Sequence, residues 1–544
     1  MSSTYQAPSA RRSPDTHIRI LVLLALLAIF LRLPWFHRSS LSLDEAFTLE
    51  FTKHPWPAFW GYVAIYDIHP PLFYAIVKLF RVLGDSEWAL RLPSFIFSVA
   101  CIPLFYLAGR VIGGSQRGRP LGLAVAAIYC TSTLQLSEAQ NARSYTLFVL
   151  AGAMAFTGLA WVILHSDRYE AALRGRGALK PLGIGAMSAI GLALLPWTHN
   201  IGLLFAAAFG VSALLLVLAR DRRIIGGSVA IAVIGVAALL LWSPNLPSLL
   251  QQISSVSHGT WIKPVSAREL SRILLTVYGA LRSTSGPLMV AGLLGSAILA
   301  LAGAAGIFRM WRAQKTMAIF CLSCAFLPLV GSVLFSLLVE PILLSRTLLP
   351  SLLPWSVIVS YGMVEGPRKK LIGWSVFLVL ALNAGAYFFL DQEQGEPWTR
   401  IISEASSDKS RKAIIITVPN SSELPLRYYN EKLKAGLVIK PIPAPFPAVN
   451  ERYLYPSGEL GVPAIDDGMI QDIQRIIDGN SDADIWVVLR GHGTYDRSNR
   501  IGRLFDEKYC YVPIETGLWY MHVFKVINKT AKHPESCDAN WAHW

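Results

Sequence analysis

Asp44 and Glu45 stand together a few residues beyond the first long apolar run of a 544-residue chain. Further along come Glu50, Asp67, His69, Lys78, Arg91, Glu138, Arg143, Tyr145, Glu340 and Arg346, each beside an apolar run and none in the middle of one. A carboxylate within hydrogen-bond reach of a hydroxyl can take its proton in a transition state, an effect of roughly 10²- to 10⁴-fold. Arginine grips a phosphate through two parallel bonds, and lysine holds it as a point charge. These residue types together suit proton removal next to an anion, and their positions put that chemistry at headgroup depth.

The elements that must position them are membrane helices. The chain is 53% hydrophobic and 15% charged, against about 25% charged residues in an ordinary soluble domain. A helix needs about 20 apolar residues to cross the hydrocarbon. Runs near that length lie at Ile18–Pro34, Leu92–Ile112, Leu121–Leu136, Tyr145–Leu164, Leu182–Trp197, Ile201–Ala219, Ile224–Trp242, Pro287–Phe308, Thr316–Val339, Leu348–Val364 and Leu371–Leu390, eleven in all. Pro70–Leu83 is shorter, with Lys78 and Arg81 on one helical face, and reads as an interfacial helix. With that assignment the Arg/Lys clusters at 11–19, 110–119, 168–180, 220–223, 309–315 and 368–370 fall on one side, which the positive-inside rule makes cytoplasmic. The net charge of +14 is then a matter of loop topology, and no basic stripe interleaved with aromatics points to nucleic acid.

The expected organisation is a cytoplasmic N-terminal tail (1–17), a membrane domain (18–390) with a long first outer loop (35–91), and an extracytoplasmic tail (391–544). The first apolar run lacks a small-residue cleavage pattern and reads as a retained anchor. In the tail, strand-like runs at Ala413–Val418, Leu437–Lys440, Asp484–Leu489 and Leu518–Val526 flank helical patterns such as Ile465–Ile477, which predicts a small α/β domain. The fold class expected is an all-α polytopic membrane domain of about eleven spans plus interfacial helices, with that α/β domain after it. Cys101, Cys130, Cys321 and Cys324 sit in apolar runs and read as packing, whereas Cys510 and Cys537 lie in the polar tail and are candidates for pairing in an oxidising compartment. His199-Asn200 reads as a turn. The span interiors are nearly free of Asp, Glu, Lys and Arg, unlike a proton-coupled transporter with an ionisable pair near the midplane.

Ser42-Leu43-Asp44-Glu45-Ala46-Phe47-Thr48, followed by Asp67-Ile68-His69-Pro70-Pro71-Leu72-Phe73-Tyr74, resembles the GT-C superfamily of polyprenyl-phosphate-sugar-dependent transferases, which holds protein O-mannosyltransferases and the aminoarabinose transferases of lipid A. The likeness continues through Gly84–Ser94, through Ala142-Arg143-Ser144-Tyr145, which is similar to the second-loop Arg-x-Tyr of the family, and at Ser345–Pro350. It covers most of the membrane part and is weak in the tail. Three positions depart from the pattern. His69 stands where the aminoarabinose branch carries Lys, Thr347 where Tyr is common after the Arg, and Ser144 where Pro is frequent. With the acidic pair intact, these departures fit a distinct substrate.

The resemblance implies transfer of a hexose, pentose or modified hexose from a polyprenyl-phosphate donor to a lipid, glycan or protein acceptor outside the inner membrane. Asp44 is then the general base and Glu45 its partner or orienter. His69, Lys78, Arg91, Glu138, Arg143, Tyr145 and Arg346 are expected around donor phosphate or substrate. With arginines present, no cofactor is required and a divalent metal is not obligatory. A single displacement inverts the anomeric centre. Plainer readings stand beside these: Lys78 and Arg81 snorkelling to headgroups, Glu138 as an interfacial cap, and His69 as a polar start to its helix. Two rival functions remain, a polymerase or ligase of lipid-linked oligosaccharides, and a transporter or flippase of lipid-linked sugars.

Overall fold

A computed structural model describes residues 14–33, 40–220, 225–256, 262, 264–281, 286–390, 395–447, 465–491, 496 and 498–528. The membrane part runs α1 (Pro14–Arg32), α2 (Leu43–Lys53), α3 (Trp56–Tyr66), α4 (Leu72–Phe80), α5 (Glu87–Thr131), α6 (Thr133–Glu138), α7 (Tyr145–Leu164), α8 (Ser166–Leu173), α9 (Leu179–Thr198), α10 (Gly202–Arg220), α11 (Ile225–Trp242), α12 (Leu246–Val256), α13 (Ala267–Val277), α14 (Gly286–Ala313), α15 (Lys315–Leu338), α16 (Leu352–Val364) and α17 (Lys369–Leu390). Among the described residues nine helical stretches are long and apolar enough to cross a membrane.

The first of the nine, α5, is 45 residues long, about 67 Å if straight. It is not straight. Gly114 sits at φ +64°, outside helical geometry, in a backbone region that glycine enters without a Cβ penalty. A Cβ on Gly109 would lie 2.8 Å from Gly122, and one on Gly113 would lie 2.7 Å from Gly118. That pairing is antiparallel, so α5 is a hairpin of two tightly packed spans, matching the runs Leu92–Ile112 and Leu121–Leu136. Counting α5 twice gives ten spans. The 19-residue α1, about 28 Å long, covers the expected first run but is not among the nine.

The basic loops meet at one end of the bundle. Arg117, at the α5 turn, pairs with Glu365 at 2.6 Å, and Arg309 donates to the carbonyls of Gly362 (2.5 Å) and Glu365. The opposite end carries α2, α3, α4, α6 and the turns near His199 and Arg346. α7 and α16 are buried on nearly every side and form the bundle's centre, with α7 packed on α5 and α9, and α16 on α14 and α5.

The tail holds α18 (Trp398–Ala405), β1 (Ala413–Val418), α19 (Glu423–Lys432), β2 (Val438–Pro441), α20 (Asp467–Asp478), β3 (Asp484–Arg490), α21 (Arg500–Lys508), β4 (Cys510–Ile514) and β5 (Met521–Asn528). The sheet order is β2-β1-β3-β5-β4. β1 runs parallel to β2 and β3, while β5 is antiparallel to β3 and β4. Alternation along β3 divides the core: Ile485, Val487 and Leu489 pack with α20 and α21, and Trp486 and Val488 face the other way. That second face shares one apolar cluster with Leu41, Ala46, Phe51, Phe73 and Tyr74 of the first loop and with Trp398 and Tyr429. The tail therefore folds onto the α2–α4 segment as one body with it. Cys101, Cys130, Cys321 and Cys324 are free and buried. Cys537, the N-terminal residues 1–13, and the start of the first loop (34–39) lie outside the described residues.

Candidate active site at the Asp44 end of the bundle

The first turn of α2 is locked before any ligand arrives. Ser42 caps it, its Oγ accepting from Glu45 N at 3.2 Å while Glu45 Oε2 accepts from Ser42 N at 2.9 Å, a reciprocal box that satisfies two helix-end donors. Glu45 is almost fully buried. Its Oε1 takes Arg91 Nε at 2.7 Å and Ala142 N at 2.9 Å, and its Oε2 takes Arg91 Nη2 at 2.8 Å. This carboxylate is saturated, and through these bonds Glu45 ties α2 to α5 and to the loop before α7. Arg91 is likewise turned inward to Glu45 and Ser40 O (3.1 Å).

One residue earlier, the side chain of Asp44 is 36% exposed. Arg346 Nη1 lies 3.5 Å from its Oδ2, and Arg143 Nη1 lies 3.4 Å from its backbone carbonyl. The Arg346 guanidinium sits over the buried Tyr145 ring at 5.4 Å. Burial in the cleft pushes the Asp44 carboxyl up, but Arg143 and Arg346, with Arg490 and His69, outweigh it and hold it below its ordinary value.

A second acid, Asp67, lies behind. Its Oδ1 accepts from Ile68 N at 2.6 Å and His69 N at 3.1 Å, an Asx turn, and stands 2.9 Å from His69 Nδ1. The Tyr74 hydroxyl donates to its other oxygen. Arg143 Nη1 donates to Tyr74 Oη at 2.8 Å and comes within 3.8 Å of Asp67, while Nη2 lies 2.9 Å from His69 Nδ1. Although burial opposes ionisation, His69 and Arg143 keep Asp67 well below the carboxylate range. Burial and the Arg143 charge lower the His69 pKa, and Asp67 opposes them. Asp67, Tyr74 and His69 thus brace Arg143.

Glu138, at the end of α6, is buried, and its Oε2 has no hydrogen-bond partner among the described residues. Burial raises its pKa to about 7, with Asp44 adding to the rise and Arg346 and Arg143 opposing it.

Asp44, His69, Glu138, Arg143, Tyr145 and Arg346 therefore converge, and Lys78 does not. Lys78 Nζ donates to the carbonyls of Thr52 (2.9 Å) and His54 (2.6 Å) and lies over the Trp56 ring. It caps the far end of α2, with Arg81 donating to Thr52 O as well at 2.8 Å. In the structure Lys78 thus holds the open carbonyls at the end of α2, where the sequence reading expected a phosphate contact. His199-Asn200 is more than a turn. Asn200 Nδ2 donates to Ile68 O (2.9 Å) and Gln252 Oε1 (3.0 Å), Gln252 Nε2 donates to His69 O (2.8 Å), and the His199 ring meets that of His69 edge-on. Asp67 was legible as a charge, but its bracing role, and those of Tyr74, Gln252 and Arg490, carried no spacing signal. Among the described residues no three His, Cys, Asp or Glu side chains gather to hold a metal ion.

No protein-family model and no curated protein sequence matches the chain. Solved structures do. ArnT from Cupriavidus metallidurans in the apo state superposes with TM-score 0.55 at 12% identity, over 94% of this chain and 98% of that one. The same protein bound to undecaprenyl phosphate gives 0.52 at 12% identity, over 96% and 100%. The apo oligosaccharyltransferase of Archaeoglobus fulgidus gives 0.54 at 12% identity, over 98% and 76%. Those proteins are GT-C glycosyltransferases, and this chain, with its hairpin-built helical bundle, its interfacial helices around an acid and arginines, and its sheet domain at the same end, has the GT-C fold.

Proposed function

We propose that the chain is a glycosyltransferase that moves a sugar from a polyprenyl-phosphate donor to a hydroxyl of a lipid, glycan or protein at the outer face of the plasma membrane. One observation carries the reading: a partly exposed Asp44 within 3.5 Å of Arg346, at the end of the bundle opposite the Arg-rich loops. The positive-inside rule makes that end extracytoplasmic. The undecaprenyl phosphate bound by the ArnT structure is a lipid phosphate of the class two arginines suit.

The acceptor oxygen attacks the anomeric carbon, the bond from that carbon to phosphate oxygen breaks, and the polyprenyl phosphate leaves with the electron pair. The acceptor proton passes to Asp44. A single displacement of this kind inverts the anomeric centre. In the resting site the arginines hold Asp44 ionised, so it is ready but weakly basic. A donor phosphate that engages Arg346 and Arg143 neutralises their charge and restores basicity to Asp44 as the substrate arrives. The arginines then face the charge growing on the leaving phosphate, worth a few kcal/mol per well-placed donor. They bring the positive charge a divalent metal would supply, so chelation is expected to leave turnover unchanged.

The test is transfer by full-length protein in nanodiscs from undecaprenyl-phosphate-linked mannose, glucose or aminoarabinose to cell-envelope lipids and glycans, read by mass spectrometry. Wild type is expected to give a product from one donor, and Asp44→Asn roughly 10²- to 10⁴-fold less of it. Undiminished transfer by Asp44→Asn removes Asp44 as base. Movement of the donor across vesicles without any product supports the transporter instead.

A further inference from the structure

The tail domain touches the base through a route the membrane helices do not provide. Leu43 N, in the first turn of α2 and next to Asp44, is a helix-end donor with no partner inside its own helix. It donates at 2.8 Å to Oε2 of Glu396, 353 residues away. Glu396 is itself buried. Its Oε2 also accepts from Trp398 Nε1 at 3.1 Å, and its Oε1 accepts from Arg490 Nε, at the end of β3, at 2.6 Å. The Arg490 guanidinium lies over the Tyr520 ring at 5.4 Å. Just upstream, Leu41 N donates to Tyr429 Oη at 2.7 Å, and the Ser40 and Thr399 hydroxyls are bonded at 2.8 Å. The residues leading into Asp44 are thus held by the tail on one side, and by Glu45 with Arg91 on the other.

We propose that Glu396 and Arg490 are positioning residues for Asp44, so that the tail domain sets the rate of the transfer step. This rests on the reading of Asp44 as general base. Catalytic geometry is steep: a displacement of about 1 Å costs on the order of 10²-fold. Without Glu396 the first turn of α2 loses the partner of Leu43 N, the tail contact nearest Asp44, and rests on the Ser42–Glu45 box and on Tyr429 at Leu41 N. Arg490 has a second effect, on charge. Asp44 faces Arg143 from the loop before α7, Arg346 from the turn before α16, His69 from the loop before α4, Glu138 from α6, and Arg490, with its partners Glu396 and Tyr520, from the tail. Removing the Arg490 charge takes away one of the cations that keep Asp44 ionised.

The experiment uses full-length protein in nanodiscs, the donor that wild type turns over, undecaprenyl phosphate as the binding probe, and three variants. Glu396→Gln keeps the size, but its amide nitrogen cannot accept, so one of the two anchors is lost. It is expected to lower kcat roughly 10-fold or more, with KM, undecaprenyl phosphate affinity and melting temperature near wild type. Arg490→Gln is expected to lower kcat and move the acid limb of its pH profile to higher pH, and Arg490→Lys to restore the limb. Wild-type kcat and pH profile in all three variants overturn the proposal, as does a fall of kcat in step with phosphate affinity and melting temperature, which marks general loss of structure. A wild-type chain that transfers from none of the donors removes the parent reading and this one with it. Normal wild-type turnover with unaltered variants removes this one alone.

Discussion

Two Asp/Glu–Arg pairs grow from consecutive residues of α2, and they have opposite fates. Glu45 and Arg91 meet through bonds of 2.7 and 2.8 Å with side chains 3% and 2% exposed, whereas Asp44 and Arg346 approach to 3.5 Å with side chains 36% and 27% exposed. In the first pair every strong acceptor direction of the carboxylate is filled by Arg91, Ser42 N and Ala142 N. In the second, Arg346 is the one hydrogen-bond donor to the Asp44 carboxylate among the described residues. Saturation makes an ion pair a structural tie, and partial exposure leaves it able to exchange its partner for a substrate. The helix decides which is which: the capping box commits the third residue of α2 to its own N-terminus and leaves the second facing the cleft.

The sharpest way to break this contrast is to neutralise each acid in turn. Asp44→Asn is expected to lower transfer by roughly 10²- to 10⁴-fold with an unchanged melting curve, since a half-exposed carboxylate contributes little to folding. Arg91→Met should do the reverse. It strands the Glu45 charge, and breaking a buried pair costs about 3–5 kcal/mol, visible as a lower melting temperature and reduced abundance in the membrane. Activity per folded molecule then falls only as far as α2 shifts. If thermal melts show Arg91→Met as stable as wild type, the two pairs are not distinct in kind.

A finer cut separates charge from geometry at Arg346. Arg346→Lys keeps the charge and loses the planar fork, so undecaprenyl phosphate affinity and turnover are expected to drop roughly 10-fold, and Arg346→Gln by about 10²-fold. Calorimetric titration of the lipid phosphate and kcat measured on the same preparations check both figures. Equal losses for Lys and Gln would mean that Arg346 acts through its fork alone.

The same contrast explains what was legible in the sequence. Apolar run lengths fix spans because the hydrocarbon has one thickness, so the hairpin hidden in α5 was visible as two runs. The strands β1, β2, β3 and β5 were visible as β-rich runs, but β4, with Pro513 inside it and Val512 half exposed, lacks that pattern. The acidic pair and the outer arginines could be placed at one depth because all of them sit in loops on the same side of the spans. Which acid faces the cleft depends on helix phase and on a partner 46 residues away, and no spacing rule carries that. The grip of Asn200 and Gln252 on the Asp67–His69 loop, and of Glu396 on α2, comes from residues distant in the chain. Loop closure of that kind leaves no periodicity to read.

Glu138 gives a pH test of smaller effect. Its pKa is raised to about 7, so the fold favours the protonated form. The stability tied to it is fully present below the ordinary glutamate value and is lost as pH rises through about 7. Melting temperature is expected to fall between pH 5 and 8 by an amount worth on the order of 1–3 kcal/mol, and Glu138→Gln to flatten that part of the curve. Donor phosphate on Arg346 and Arg143 adds negative charge beside Glu138, which strengthens its hold on the proton, so ligand should move the fall to higher pH. A wild-type curve that rises across this range reverses the sign and removes the argument.

Lys78 should show the smallest effect of the group, and its smallness is informative. Both of its bonds go to backbone carbonyls at the C-terminal end of α2, where a cation offsets the partial negative charge of the helix end. Arg81 also donates to Thr52 O, so that carbonyl keeps a partner without Lys78, and only His54 O is left to water. Lys78→Met is therefore expected to cost about 0.5–1.5 kcal/mol in a thermal melt and to leave undecaprenyl phosphate affinity and kcat at wild-type values. A loss of lipid-phosphate affinity comparable with that of Arg346→Gln would put Lys78 in the cleft during turnover, and would mean that α4 swings toward Asp44 when the donor binds.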